Sequence, residues 1–327
     1  MPMFKEKHEP HEAAMISEMT DILRRKMQRD YAKGGTRRDA HPKTLGLLRG
    51  SFEVEADLPP ELRQGLFGKA ASHDCWVRFS NASGKSQSDA IKDARGVAIK
   101  LMKPGGKGTA ADASMGQDFV LLNSPTMPLG TVALFRDAVY YAIESSPLLL
   151  GAKLLLTGNA GVLLGLAGLR TLPSSPLDIR YWSTTPYRLG KNHAVKYSLI
   201  PTSRYRSKRP ASPDDSYLGD AMQSHLARHV ASFDFCVQLH MEDMAIEDAS
   251  QRWSERTSPF IKVATLHLPV QSFRTPEREA LAEVLSFSPG HARAAHAPLG
   301  GLNRARIKIY KALSKFRHQR DGRSDIA

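Results

Sequence analysis

Two side chains near the C-terminus have the types and the spacing to hold a metal ion through oxygen. Arg306 and Tyr310 are four residues apart, so on a helix they lie one above the other. An adjacent guanidinium favours the ionised form of a tyrosine, and a phenolate is a hard oxygen ligand for ferric iron. The same spacing is common on ordinary helix faces, so this pair alone does not define a site.

Two other patterns are poorer candidates for chemistry. His225 and His229 have the spacing of zinc ligands on a helix, but Leu226 stands where a zinc protease has its glutamate. The basic run from 304 to 320 has few aromatic residues that could stack on bases, which disfavours a nucleic-acid partner. We therefore interpret both patterns as ordinary helix faces.

Further candidate residues lie in five short segments that follow one another along the chain. In the first, His41 precedes Pro42, which favours an extended conformation at the histidine. The segments contain arginine, histidine, serine and asparagine side chains, and they are residues 38–54, 76–80, 93–100, 118–125 and 306–317.

In this order the five segments resemble those of the haem catalases. The first resembles the segment with the distal histidine, the next three resemble strands of the barrel, and the last resembles the proximal helix. Residues 181–199 and 241–253 are similar to the short catalase-like branch that contains allene oxide synthases and small hydroperoxidases.

The resemblance implies haem b, which is ferric iron protoporphyrin IX, as the cofactor. Tyr310 would be the iron ligand, and Arg306 would be its charge partner. Since two carboxylates suit guanidinium forks, three arginines would bind the haem propionates. These three residues are Arg38, Arg78 and Arg317.

On the distal side, the resemblance makes His41 the catalytic acid and base, with Ser80 beside it and Asn123 as an amide donor. One residue is inserted between His41 and the first strand, relative to full-length catalases. An ungapped alignment puts Leu122 at the asparagine position, so either Asn123 serves from a shifted register or the site lacks this donor. Fast dismutation of hydrogen peroxide is therefore in question.

The segment from 147 to 172 is rich in leucine and glycine. It is long enough to cross a bilayer, but Lys153, Asn159 and Arg170 interrupt it. Three interpretations stay open: a membrane span, a pair of buried core helices, or an apolar patch that touches a membrane or admits substrate. As an entrance it would favour long-chain hydroperoxides, because each buried methylene contributes about 0.8 kcal/mol.

The charge of the chain favours anionic partners. Among 327 residues, 46 Lys and Arg against 33 Asp and Glu give a net charge of +13. Such a surface attracts anionic lipid or the carboxylates of a cofactor. The two cysteines, Cys75 and Cys236, exclude a disulfide scaffold and suit a reducing compartment. With no apolar leader at the N-terminus, we expect a cytoplasmic protein, and association with a membrane surface stays open.

The segments that must position these side chains are mostly strands. Alternating apolar residues predict strands at 51–58, 75–80, 96–102, 118–122, 194–200, 233–240 and 261–268. Helices are predicted at 12–33, 275–285 and 303–318. This order predicts an α+β fold with an antiparallel sheet or barrel, and the resemblance makes it a catalase-like barrel with surrounding helices. The expected divisions are a helical N-terminal arm at 1–35, a haem domain at 36–320 and a tail at 321–327.

These features predict a haem-dependent enzyme that acts on hydrogen peroxide or on organic and fatty-acid hydroperoxides. An isomerase or dehydratase of the allene oxide synthase type is an alternative with the same substrates. A basic peripheral-membrane or nucleic-acid-binding protein without catalysis is the alternative from another class. It explains the charge and the apolar segment but not the five ordered segments. The expected partner is the peroxide substrate, and an anionic membrane surface and an oligomer stay open.

Overall fold

The computed structural model describes residues 4–32, 35–102, 116–320 and 322, so most of the predicted tail lies outside it. The strands are β1 (Thr44–Val54), β2 (Ala71–Asn81), β3 (Arg95–Leu101), β4 (Asp118–Leu122), β5 (Tyr181–Trp182), β6 (Tyr187–Leu189), β7 (His193–Pro201), β8 (Ala231–Leu239) and β9 (Ile261–Leu268). The α-helices are α1 (Glu12–Asp30), α2 (Val132–Ile143), α3 (Pro147–Leu156), α4 (Ala160–Gly168), α5 (Tyr217–Leu226), α6 (Pro276–Val284) and α7 (Gly301–Arg320).

Within the described ranges, eight of these strands close into an antiparallel barrel. The strands are hydrogen-bonded in the order β5, β4, β3, β2, β1, β9, β8, β7, β6. β5 also pairs with β7, which closes the ring and leaves β6 outside it. Closure removes the free strand edges that an open sheet would expose. The predicted α+β fold with an antiparallel barrel is therefore confirmed.

Side chains alternate between the interior of the barrel and its outer wall. Phe79, which the strand pattern assigns to the core, is fully buried in the interior, and Phe119 and Phe235 pack there with ring centroids 4.6 Å apart. Successive residues of a strand point to opposite faces. Arg78 and Ser80, the neighbours of Phe79, therefore lie on the outer wall.

α6 packs against this outer wall, and α7 lies near enough for the charge of its Arg306 to act on His41. α6 begins at Pro276, and Thr275 is its N-cap, as predicted, because its hydroxyl accepts a hydrogen bond of 3.3 Å from the amide of Arg278. Ala282 and Leu285, at the end of this helix, pack beside Trp76 of β2. α7 contains Arg306, Tyr310 and Arg317 and lies further along the chain. The predicted site residues meet between these helices and the wall formed by β2 and β3.

The N-terminal helix supports α7 from the other side. α1 buries the apolar face that its sequence predicts, together with one more residue: Ile16, Met19, Ile22, Leu23 and Met27. This face packs against α2 and against three residues of α7, which are Ala305, Ile309 and Leu313. The division into an arm and a haem domain stays a prediction, but α1 rests directly on the helix that carries Tyr310.

One arginine joins the N-terminal segment to α7. The Arg304 guanidinium donates to both carboxylate oxygens of Glu12, at 2.7 and 2.8 Å, and also to Glu6 and Glu247, each at 2.8 Å. Glu12 is buried, and the hydrogen bond from Arg304 is the largest cause that lowers its pKa, to about 2.

We expect Arg304→Ala to lower the free energy of unfolding by about 3 kcal/mol, because it leaves the buried Glu12 carboxylate without its cation. Because the pKa of Glu12 is lowered from 4.5 to about 2 in the folded protein, the ion pair contributes fully to the free energy of unfolding above pH 4.5. This contribution is lost as pH falls towards about 2. Urea unfolding at pH 7 and at pH 3 should show the difference between variant and wild type shrinking at the lower pH.

The matched control is Arg25→Ala, which removes an exposed pair with Glu144. We expect a change below about 1 kcal/mol there, as for other exposed ion pairs. If Arg304→Ala lowers the free energy of unfolding no more than this control does, the structural role of Arg304 is contradicted.

The apolar segment at 147–172 forms two short helices, α3 and α4. One side of this helix pair packs on α2 through Leu150, Leu154 and Val162. The other side, which includes Leu148 and Leu156, is exposed. Among the residues described, no helix combines the length and the apolar character needed to cross a membrane. The segment is therefore a helix pair that is only half buried.

Candidate active site

His41 lies in the turn before β1, against the outer wall of the barrel. Its φ of 57° is in the left-handed region, which few non-glycine residues adopt. Its Nδ1 shares a hydrogen bond of 2.9 Å with the hydroxyl of Ser80 in β2. The imidazole rests on Gly96 of β3, where a Cβ would lie 2.6 Å from Cε1 of the ring. Gly96 therefore makes the space that His41 occupies.

The strand register identifies the other residues on this wall. Ser80 pairs with Gly96, and Gly96 pairs with Leu122 of β4. These three residues therefore form one row across the strands on the same face of the sheet. Asn123 is the next residue along the chain. Its Oδ1 accepts a hydrogen bond of 2.8 Å from the amide of Arg95, and its Nδ2 donates to Oγ1 of Thr171 at 3.1 Å. A catalytic role of Asn123 stays a prediction.

Arg78 fixes the backbone that carries His41. Its Nη2 donates to the carbonyl of His41 and to Oγ1 of Thr44, both at 2.7 Å. Burial, followed by the positive charges of Arg78, Arg306 and Arg38, lowers the pKa of His41 from 6.5 to about 3. The imidazole is therefore neutral near pH 7 and can accept a proton.

Three guanidinium groups, those of Arg38, Arg78 and Arg317, lie close enough in this region to act on one another. Burial and the charges of Arg78 and Arg317 together lower the pKa of Arg38. Burial also lowers the pKa of Arg78 to about 10, and the charge of Arg317 adds to this effect. Glu283 is the carboxylate that opposes these shifts, and its Oε2 lies 3.6 Å from Nη1 of Arg38.

The arginine cluster suits a ligand with two carboxylates. Among the residues that the structure describes, Nη1 of Arg38 is buried without a hydrogen-bond partner, while its Nη2 donates to the carbonyls of Ala282, at 2.7 Å, and Leu285. Buried charges are costly unless counter-charges and hydrogen bonds compensate them. Propionate groups such as those of haem would supply both, so the residues present fit that cofactor.

On the opposite side of the site, α7 presents Arg306 and Tyr310 on one face. The guanidinium carbon of Arg306 lies 5.7 Å from the centre of the Tyr310 ring. Nη1 of Arg306 donates to Thr185 at 3.3 Å and to Asn303 at 3.2 Å, which holds the guanidinium in place. Burial alone would lower the pKa of Arg306. Electrostatic interactions and hydrogen bonds with Tyr310 and Tyr187 outweigh burial, so the pKa is raised. Arg306 therefore stays charged beside Tyr310.

The structure brings seven of the eight predicted residues into one region. The charge of Arg306 acts on His41, and the charges of Arg78 and Arg317 act on Arg38. Helix α7, strand β2 and the turn that precedes β1 therefore come close together there. Sequence reasoning gave no role to four residues that shape this region, which are Thr44, Gly96, Thr185 and Asn303. Gly96 could have been noticed inside the segment 93–100, but the other three have no sequence signal of their own.

A cleft opens at the rim of the barrel close to His41. It has a volume of about 460 Å³ and lies between the ends of β2 and β3 and the end of α4. Ala82 and Ala94 line it on the barrel side, and each is two residues, or about 7 Å, along its strand from Ser80 or Gly96. Leu166 and Leu169 line it on the helix side. Ser83, Asp93 and Arg170 give this cleft a polar part as well.

The fold defined by these elements is shared with solved catalases. A fungal catalase aligns with a TM-score of 0.69 and 16% identity over 91% of this chain and 62% of its own length. Catalase A from Saccharomyces cerevisiae gives 0.67 and 16%, over 92% and 66%. A bacterial catalase gives 0.65 and 17%, over 91% and 60%.

These alignments show that the chain has the catalase fold, and it spans 60% to 66% of the length of the catalases named. The sequence matches no protein-family model and no curated protein. Membership of the short branch that contains allene oxide synthases stays a prediction.

Proposed function

We propose that this protein binds haem b and uses it to break the O–O bond of hydroperoxides. The observation that carries this proposal is the arginine cluster of Arg38, Arg78 and Arg317, gathered beside His41 and opposed by Glu283. Burying guanidinium groups close together is costly, and the carboxylates of a bound anion would lower this cost for Arg38 and Arg78. In the catalase fold, this arrangement is explained by a cofactor that has two carboxylates.

Each predicted residue then has a defined task toward the cofactor. Tyr310 would hold the ferric iron through its phenolate oxygen, and Arg306, whose guanidinium carbon lies 5.7 Å from the centre of that ring, would be its charge partner. The three arginines would hold the propionates. When bound, haem supplies an iron centre that accepts an oxygen ligand and changes its oxidation state.

His41 would move the proton during O–O cleavage. The neutral imidazole would take a proton from the incoming hydroperoxide and return it to the leaving oxygen. Ser80 holds Nδ1 at 2.9 Å and thereby directs the other ring nitrogen, Nε2, to the substrate. Gly96 leaves the ring the space to adopt this position.

The distal wall favours an organic hydroperoxide over hydrogen peroxide. Leu122 completes the row formed by Ser80 and Gly96, so an apolar side chain stands at the position that the resemblance gives to an amide. The cleft beside this row is lined by Leu166 and Leu169. We therefore propose that the substrate has a hydrocarbon tail, which would contribute about 0.8 kcal/mol for each methylene buried.

The experiment that tests this function has two stages. Haemin is titrated into the purified full-length protein, and a sharp Soret band that saturates at one haem per chain is expected. The kcat/KM values for hydrogen peroxide, tert-butyl hydroperoxide and an 18-carbon fatty-acid hydroperoxide are then compared. We expect the fatty-acid hydroperoxide to give the highest value.

The two stages fail separately. If no Soret band develops, haem binding and the function proposed here are wrong. If haem binds but the long substrate is no better than hydrogen peroxide, the preference for a hydrocarbon tail is wrong and a small catalase or peroxidase remains. Product analysis distinguishes reduction to an alcohol from the isomerase or dehydratase alternative.

A further inference from the structure

An exposed patch of leucines covers one side of the pair of helices α3 and α4. Three of its side chains are almost entirely accessible: Leu148 is 84% exposed, Leu156 is 88% exposed and Leu164 is 78% exposed. Leu149 and Leu155 are also exposed. These five residues, which we call the leucine patch, lie on two neighbouring helices, and clustered exposed apolar residues often mark an interaction surface.

The helix pair is anchored without the leucine patch. Leu150, Leu154 and Val162 pack against Leu129 in a separate cluster below the patch. Gly165 lies close to Pro128, since a Cβ there would be 2.8 Å from the proline ring. The exposed leucines are therefore not needed to hold α3 and α4 against α2, and they are available to an external partner.

The charges around the patch indicate which partner fits. Between residues 145 and 177 there is no aspartate or glutamate, and the charged residues are Lys153 and Arg170. The nearest preceding carboxylates are already paired, Asp137 with Lys153 at 2.7 Å and Glu144 with Arg25 at 3.2 Å. Because Lys153 is itself paired with Asp137, Arg170 supplies the local positive charge. An apolar surface with a cation and without free carboxylates is complementary to anionic lipid.

We propose that the leucine patch docks on an anionic lipid bilayer, with α3 and α4 lying in the interfacial layer. The net charge of +13 attracts the chain to such a surface. The same charge opposes contact between two copies through this patch, because each copy would bring its positive field against the other.

This docking would place the cleft at the membrane. Leu166, Leu169 and Arg170 belong to α4 or directly follow it, and all three line the cleft beside the barrel rim. The cleft and the leucine patch therefore share α4. The docking itself does not depend on haem and goes beyond the function proposed above.

The test is flotation of the full-length protein with vesicles made from equal parts of phosphatidylcholine and phosphatidylglycerol. We expect wild type to float with these vesicles and to bind pure phosphatidylcholine vesicles much more weakly. The triple variant Leu148→Ser, Leu156→Ser, Leu164→Ser should lose at least about tenfold in partitioning. The matched control, Val230→Ser with Val270→Ser, alters two exposed apolar residues elsewhere and should bind like wild type.

A second readout does not depend on the triple variant folding. Tryptophan placed by Leu156→Trp should shift its emission to the blue on addition of the mixed vesicles, whereas Val270→Trp should not. The proposal is overturned if wild type does not float, or if the triple variant binds as well as wild type. It is also overturned if the triple variant instead dissociates an oligomer, as measured by light scattering, because a second copy would then cover the patch.

Discussion

Tyr310→Phe is expected to abolish stable haem binding. Phenylalanine has the shape of tyrosine but offers the iron no oxygen, so the haem would keep its arginine contacts and lose its proximal ligand. Haemin titration followed by absorption spectroscopy should show a broad band like that of loosely bound haemin. The apparent affinity for haemin should fall by about tenfold or more, which corresponds to a loss of at least about 1.4 kcal/mol in binding free energy.

Two further variants separate ligation from packing. Tyr140→Phe alters another half-buried tyrosine in the same helical cluster and should leave the spectrum unchanged. Arg306→Leu should leave haem bound but weaken the ligand, because the phenolate loses the positive charge 5.7 Å from its ring. Wild-type spectra in Tyr310→Phe would show that Tyr310 is not the ligand.

The strands that follow one simple pattern could be predicted closely from the sequence. β4 and β9 have the predicted boundaries, 118–122 and 261–268. β1 was predicted at 51–58 but runs from Thr44 to Val54. Four consecutive residues in its first half, from Leu45 to Leu48, are buried, with Phe273 packed against Gly46, so apolar residues do not alternate there. Alternation reveals a strand only where one face meets solvent.

The short elements had too little sequence to be recognised. β5 consists of Tyr181 and Trp182 alone, and yet it closes the barrel. Its pairing depends on β4 and β7, which are separated from it in the chain, so no local pattern could indicate it. The sequence did not predict α2 either. Only Val132 and Val139 are buried, and the other apolar residues of the helix pack in two different clusters, so no single apolar face marks it.

For the site, residue types were predictable but their surroundings were not. The resemblance named His41 and Ser80, but the left-handed backbone of His41 and the space above Gly96 are properties of the folded chain. The proline that follows His41 favoured an extended conformation, which the contacts of Arg78 with the His41 carbonyl override. The arginine cluster also appears only when its three residues, far apart in sequence, come together.

His41→Ala is expected to reduce hydroperoxide turnover by about 10²–10⁴-fold while haem stays bound, because the variant loses general acid–base catalysis but keeps the proximal ligand and the arginines. The Soret band should remain close to that of wild type. The measurement is kcat for the preferred hydroperoxide at saturating haem. Equal turnover in His41→Ala and wild type would show that the histidine only packs against the strand.

Gly96→Ala provides an independent test of the position of the ring. The added Cβ would lie 2.6 Å from Cε1 of His41 and 3.2 Å from Oγ of Ser80, so the imidazole must move while its chemistry is retained. We expect a smaller loss of kcat than in His41→Ala, with the Soret band again retained. Gly68→Ala is the matched control, because a Cβ at Gly68 meets no atom within 4 Å.

The pH profile distinguishes a catalytic base from a structural histidine. Burial lowers the pKa of His41 to about 3, so the neutral imidazole persists well below the ordinary value of 6.5. The kcat of wild type should therefore begin to fall with decreasing pH, on the acid limb of its pH profile, only far below pH 6.5. Bound propionates would offset Arg38 and Arg78 and raise this limb somewhat, but burial, the largest cause, remains. In His41→Ala the residual rate should have no such limb, and an unchanged limb would assign the titration to another group.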